Sequence, residues 1–281
     1  PFEQKMRVHF HRFMRRVHRD LVKYSGVKNP LEKVAAGIAK DARVICFDEF
    51  FVSDITDAMI LGGLMELLFA QGVTLIATSN IVPDNLYTNG LQRQRFLPAI
   101  ALVKQHCEVV NVDSGTDYRL RALEQAELYH SPLDEQAEVS LHSTFDSLVP
   151  ARDEVREEVA LEVEGRDIPC RFVGEDVAWF DFMALCDGPR SQNDYIELAR
   201  EFHAVLISDM PQLGRDSEDQ ARRFISLIDE FYDRNVKLAM SVAVPLEALY
   251  SGGNLAFEFE RTLSRLLEMQ SHDYLARAHR P

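Results

Sequence analysis

The chain has 281 residues, with 31 Lys plus Arg against 45 Asp plus Glu, a formal net charge of −14. At 46% hydrophobic and 27% charged it lies in the globular range, which excludes disordered and fibrous classes and allows a large core in one or two domains. A pI near 5.1 counts against coating of nucleic acid as the main activity. The charge is uneven, however: residues 1–43 carry 11 basic and 4 acidic groups, whereas residues 151–281 carry 15 and 26.

Residues 6–10 (MRVHF) predict a short strand, running into a basic amphipathic helix over 12–24 with Phe13, Val17 and Leu21 on one stripe. Residues 44–47 form a continuous apolar run, expected of a strand covered on both faces. Asp54 is placed to cap a helix reaching Ala70, Gly72 to close it, and residues 73–77 read as another buried strand. The apolar stretch 58–77 is long enough for a membrane span, but Glu66 and Gln71 within it favour buried helix followed by strand. Two strands joined by a helix predict a parallel α/β sheet.

A helix is expected over 90–106, bent near Pro98, then a strand over 108–112. From Tyr118 to Phe182 alternation at 118–121, 160–163, 170–173 and 178–182 predicts a small antiparallel insertion, with a helix or loop at 132–148. The remainder returns to α/β: helix 193–202, strand 204–208, helix 219–232 and strand 236–242. Its layout repeats that of residues 48–87, which two strand–helix–strand units in one sheet would produce. The cysteines, Cys46, Cys107, Cys170 and Cys186, form neither a metal-binding spacing nor a disulfide framework, so a reducing, cytoplasmic compartment is expected.

The sharpest signal is VICFDEF at 44–50, which puts two carboxylates at the carboxyl tip of a buried strand, the edge where open parallel sheets bind ligands. An acid there can hold a Mg²⁺-bound water while its neighbour accepts a proton, the Walker B logic, with Asp48 on the metal and Glu49 as base. A strand simply meeting solvent would read the same way. Thirty residues on, the next strand ends in Thr78-Ser79-Asn80, placing Asn80 beside the acids; an ordinary turn is the alternative. Arg93 and Arg95 follow on a helix, either as a solvated face or with one acting as an arginine finger. Arg223, in a charged first helical turn, is a candidate nucleotide sensor. His9, His11 and His18 lack the neighbours of a tetrahedral metal set, and Trp179 is assigned to core.

At this point the sequence resembles the ZapE cell-division ATPase family, AAA+ P-loop ATPases with mitochondrial AFG-like relatives. The resemblance rests on HFHRFM (9–14), VICFDEFFVSDITDAM (44–59), ATSNIVPDNLY (77–87), NGLQRQRFLPAI (89–100), VDSGTDYRLR (112–121) and RRFISLIDEFYDRNVKL (222–238). It implies a P-loop NTPase α/β fold, ATP and Mg²⁺ as cofactors, and a ring, expected to be a hexamer, that remodels a protein partner linked to cell division. Asp48 and Glu49 become Walker B, Asn80 sensor 1, and Arg95, failing that Arg93, the finger. Expected parts are a core at 1–115, a β-rich insertion at 116–183 and a completing α/β and helical part at 184–281. No GxxxxGK[ST] run occurs in the 281 residues. In the family that loop lies upstream of HFHRFM, so this stretch alone is expected to bind ATP poorly and hydrolyse it negligibly. A nucleotide-switched adaptor and a helicase-loader-like ATPase are the alternatives. The net charge argues against nucleic acid as partner, and membrane association is expected to be peripheral at most.

Overall fold

The computed structural model describes residues 3–88, 90–112, 118–149 and 152–280. Within the VDSGTDYRLR stretch, residues 113–117 lie outside the described part. The chain forms two compact units, residues 1–113 and 114–281.

In the first unit, β1 (Lys5–His9), α1 (Phe10–Lys23), α2 (Pro30–Asp41), β2 (Val44–Asp48), α3 (Ile55–Ala70), β3 (Thr74–Ala77) and α4 (Arg93–His106) follow in order. The strands form a three-stranded parallel sheet, β1-β2-β3, with β2 in the centre. Phe10, Phe13, Met14 and Val17 repeat at helical spacing on α1 and bury one face in a core with Ile45, Phe47, Leu61, Leu64 and Phe96. Asp54 caps α3 by accepting from the amides of Thr56 (2.6 Å) and Asp57 (3.2 Å). Burial opposes the charge on Asp54, but those amides outweigh it and hold the carboxyl below its ordinary range. Of the β2 residues expected to be covered on both faces, Ile45 and Phe47 are buried and Val44 and Cys46 only half-buried. No helix among the described residues is long and apolar enough to cross a membrane; residues 58–77 comprise most of α3 followed by β3.

In the second unit, α5 (Tyr118–Gln125), β4 (Tyr129–His130) and α6 (Glu135–Leu148) precede the strands β5 (Arg156–Val163), β6 (Arg166–Gly174) and β7 (Val177–Asp181). Then come α7 (Phe182–Cys186), α8 (Gln192–Glu201), β8 (Ala204–Met210), α9 (Glu218–Asp233), β9 (Lys237–Val242), α10 (Ala256–Met269) and α11 (His272–Leu275). One six-stranded sheet, β4-β9-β8-β7-β6-β5, joins a parallel half to two antiparallel hairpin connections. The β5–β6 turn places Glu164 and Gly165 at φ +49° and +73°, the left-handed pair that matches the twist of a tight hairpin. One face carries α8 and α9, and the other carries α5 and α6, whose Leu123, Leu141 and Phe145 pack with Trp179.

Three sequence expectations are corrected. Residues 108–112 form no strand and belong to neither sheet of the described residues. Residues 118–121 open helix α5 instead of a strand, since Leu123 completes a helical apolar spacing onto α6. The two strand–helix–strand units of similar layout lie in separate sheets, and the antiparallel strands at 156–181 continue the sheet that contains β8 and β9.

Candidate functional site

All three strands of the first unit run parallel, so their carboxyl ends share one edge, and the central one ends at Asp48. Phe47 and Phe50 bracket the acidic pair. Phe47 lies 4.7 Å from Phe13 and 5.4 Å from Phe10, and Phe50 4.9 Å from Phe10, measured between ring centroids. This aromatic clamp fixes the chain on both sides of Asp48-Glu49, leaving the carboxylates at the edge.

Glu49 itself has φ +52°, a left-handed conformation uncommon for a side chain with a Cβ. Its neighbours hold it there. The Phe50 amide donates to Thr78 O (2.8 Å), the Thr78 amide to Phe47 O (3.0 Å), and the Glu49 amide to Thr78 Oγ1 (3.3 Å). Ser79 Oγ donates to Phe50 O (2.8 Å) and accepts from the Ile81 amide (3.1 Å). The Thr-Ser-Asn segment is therefore laced to the acidic turn, and it delivers Asn80, exposed, to the same edge. Strain of this kind persists where surrounding bonds over-determine it, typically at functional sites.

Arg93 and Arg95 open α4 in the same unit, but their bonds go elsewhere than to the acids. Arg93 donates to Asp84 O (2.6 Å), whereas Arg95 is exposed and donates to Gln92 Oε1 (3.1 Å). Arg223 lies on α9 of the second unit and donates to Cys186 O (3.3 Å). Trp179 is fully buried. His9 ends β1 opposite Asp48, with its Nδ1 buried and unpartnered among the described residues.

Two features went unnoticed in the sequence. Arg7 Nε donates to Asp48 Oδ2 at 2.9 Å. The only signal for it was an arginine at β1, which becomes informative once the strand register is known. Gly90 lies against the Tyr87 ring, where a Cβ would sit 2.1 Å from the ring carbon; an N-G turn ahead of a helix was its only trace.

A magnesium ion usually takes one or two carboxylates, completing its shell with water and phosphate oxygens. Asp48, a hard oxygen donor 24% exposed at the strand tip with a second carboxylate next in sequence, fits that requirement. Cys170 offers no alternative: burial pushes it up to about 12, so it is no ready thiolate.

A family model described as AFG1-like ATPase matches residues 1–278. The chain is 53% identical over 279 residues to the Escherichia coli K12 protein named cell division protein ZapE, covering 99% of this chain and 74% of that one. It is also 36% identical over 315 aligned positions to the Danio rerio protein named lactation elevated protein 1 homolog B, covering 96% of this chain and 63% of that protein.

Proposed function

Because this chain belongs to the AFG1-like ATPase family, we propose that the edge formed by β2 and β3 is the hydrolytic half of its ATP site. The observation that carries the reading is the bonding of the Glu49 turn to Thr78, which sets two carboxylates and Asn80 on one edge of a parallel sheet. Asp48 would hold Mg²⁺ through water, and the metal when bound would neutralise phosphate charge. Glu49 takes the proton of the attacking water, and the Asn80 amide orients that water. Arg95, the more exposed of the α4 pair, is the finger directed at a neighbouring subunit in a ring, with Arg93 held back by Asp84.

Support also comes from the outer edge of β3. Ile76 there is 55% exposed, and in the non-helical run that follows α4 Val109 and Val110 are 57% and 65% exposed. An apolar, unpaired edge of this kind accepts a further strand. The strand carrying a phosphate-binding loop belongs at that edge, and without it the 281-residue polypeptide hydrolyses ATP negligibly. The natural role that follows is ATP-driven remodelling of a protein partner in cell division, as the name of the E. coli relative suggests.

The test is Glu49→Gln in a polypeptide that includes a phosphate loop. ATP binding is expected to persist while turnover falls at least a hundredfold, the scale of losing a general base. Retained turnover would remove Glu49 from the mechanism, and turnover by the 281-residue polypeptide alone would refute the need for a further strand.

A further inference from the structure

We propose that Arg7 is the resident counter-cation of Asp48, occupying the carboxylate until a divalent cation displaces it. This deepens, and rests on, the reading of Asp48 as the metal-side acid. Strand register places the two together. Arg7 pairs with Cys46 and His9 with Asp48, so Arg7, His9, Cys46 and Asp48 share one face of the parallel sheet. From two positions back, the long arginine stem carries its guanidinium up to the strand tip, where Nε meets Asp48 Oδ2 at 2.9 Å.

The exposure of the pair decides what it does. Arg7 is 51% exposed and Asp48 24%, and such half-solvated pairs contribute little to folding. The contact is therefore a poor structural staple but an effective occupant of one carboxylate oxygen. Asp48 and Glu49 are consecutive, so a cation beside the first also relieves repulsion between them while no metal is bound. A divalent ion or its bound water approaching Asp48 competes with Arg7 for the carboxylate charge and, as it binds, releases Arg7. Arg7 is thus a positioning residue: it keeps Asp48 extended toward the edge and sets the threshold at which metal enters.

The test is Mn²⁺ titration of the nucleotide-free 281-residue protein, read by electron paramagnetic resonance of the free ion. Paramagnetic broadening of the amide signals of residues 47–50 locates the ion. Arg7→Ala is expected to bind Mn²⁺ about fivefold more tightly than the parent, the factor matching an exposed ion pair of up to about 1 kcal/mol. Arg7→Lys, which keeps a point charge, should return affinity toward the parent value. Unchanged or weaker binding in Arg7→Ala overturns the proposal while leaving the metal reading of Asp48 in place. Asp48→Asn separates the two ideas: it should abolish the broadening in both backgrounds. If that variant binds Mn²⁺ as well as the parent does, or if the parent shows no broadening at residues 47–50, both readings fall.

Discussion

The hydroxyl of Thr78 accepts the backbone amide of Glu49 across the gap between the tips of β2 and β3, at 3.3 Å. This bond joins a left-handed acidic residue to the strand that leads to Asn80. Thr78→Val keeps the shape and removes the acceptor. Stability should fall by about 1 kcal/mol, the usual worth of one such bond, measured by urea unfolding. In a polypeptide containing a phosphate loop, turnover should drop more than nucleotide affinity, because the bond orients the proton acceptor and not the nucleotide. Thr78→Ser, which keeps the hydroxyl, should retain most of both. Equal turnover in the valine variant would show that the left-handed turn holds without Thr78.

Gly90 is the tightest glycine position in the first unit. A Cβ there would stand 2.1–2.2 Å from three carbons of the Tyr87 ring. That ring is buried, packs edge-on to Phe96 with centroids 5.5 Å apart, and anchors its hydroxyl on Leu91 O at 3.0 Å. Gly90→Ala must therefore displace a buried aromatic at the entrance to α4. A loss of about 1–3 kcal/mol is expected, as for other overpacked sites, together with altered chemical shifts at Arg93 and Arg95. A variant as stable as the parent would mean that the ring relocates without cost.

The residues that were legible in the sequence are those whose environment is set by their immediate neighbours. Four apolar residues ahead of two acids can hardly fold otherwise than as a buried strand with a charged tip, and Asp54 ahead of an apolar helix marks its own cap. The Val-Val-Asn-Val run at 109–112 has the composition of a strand, but a strand needs a partner edge, which composition does not specify. Tyr118 to Arg121 alternates like a strand, yet it opens α5, whose Leu123 packs with Leu141 and Phe145 of α6. Arg7 was invisible for the same reason. Its partner is 41 positions away, and the parallel register that brings them together is a property of the sheet.

His130 makes the second unit sensitive to pH. Its ring lies between Glu127, which bonds Nδ1 at 2.8 Å, and Asp134, which bonds Nε2 at 3.1 Å. The Glu127 hydrogen bond raises its pKa above 6.5; burial opposes this, and Asp134 adds to the rise. The protonated form is thus favoured by folding, so the contribution is complete below about 6.5 and is lost as pH rises through the folded value. The Ala137 amide, and then His130 against the cost of burial, lower the Asp134 pKa, so that contribution is lost as pH falls through its own depressed value. The melting temperature should therefore decline between pH 6 and 8 in the parent. In His130→Gln that decline should flatten; an unchanged slope would assign it to another group.

Lys237 is a cation only 5% exposed, and it closes the second unit around the end of the chain. Its Nζ donates to Asn235 O (2.9 Å), Tyr274 O (3.2 Å) and Arg277 O (2.7 Å), and lies 5.1 Å from the Tyr274 ring centroid. Three carbonyls replace the water that a buried ammonium would otherwise need. Lys237→Met preserves length and apolar bulk but removes the ammonium from all three carbonyls, of which Tyr274 O keeps the Arg277 amide as a donor (3.0 Å). A loss of about 3 kcal/mol is expected, in the range for breaking a buried charged network. The damage should begin locally, because two of the three carbonyls, Tyr274 O and Arg277 O, belong to the terminal segment, which is otherwise tied by Asn235 Nδ2 to Ala278 O (2.8 Å), His279 Nε2 to Ala199 O (2.6 Å) and the Arg280 amide to Arg234 O (2.9 Å). Hydrogen exchange should therefore rise first at residues 272–280, with trypsin cutting after Arg277 before the sheet opens. If exchange rises uniformly across β8 and β9 instead, Lys237 supports the whole unit and not its terminal segment.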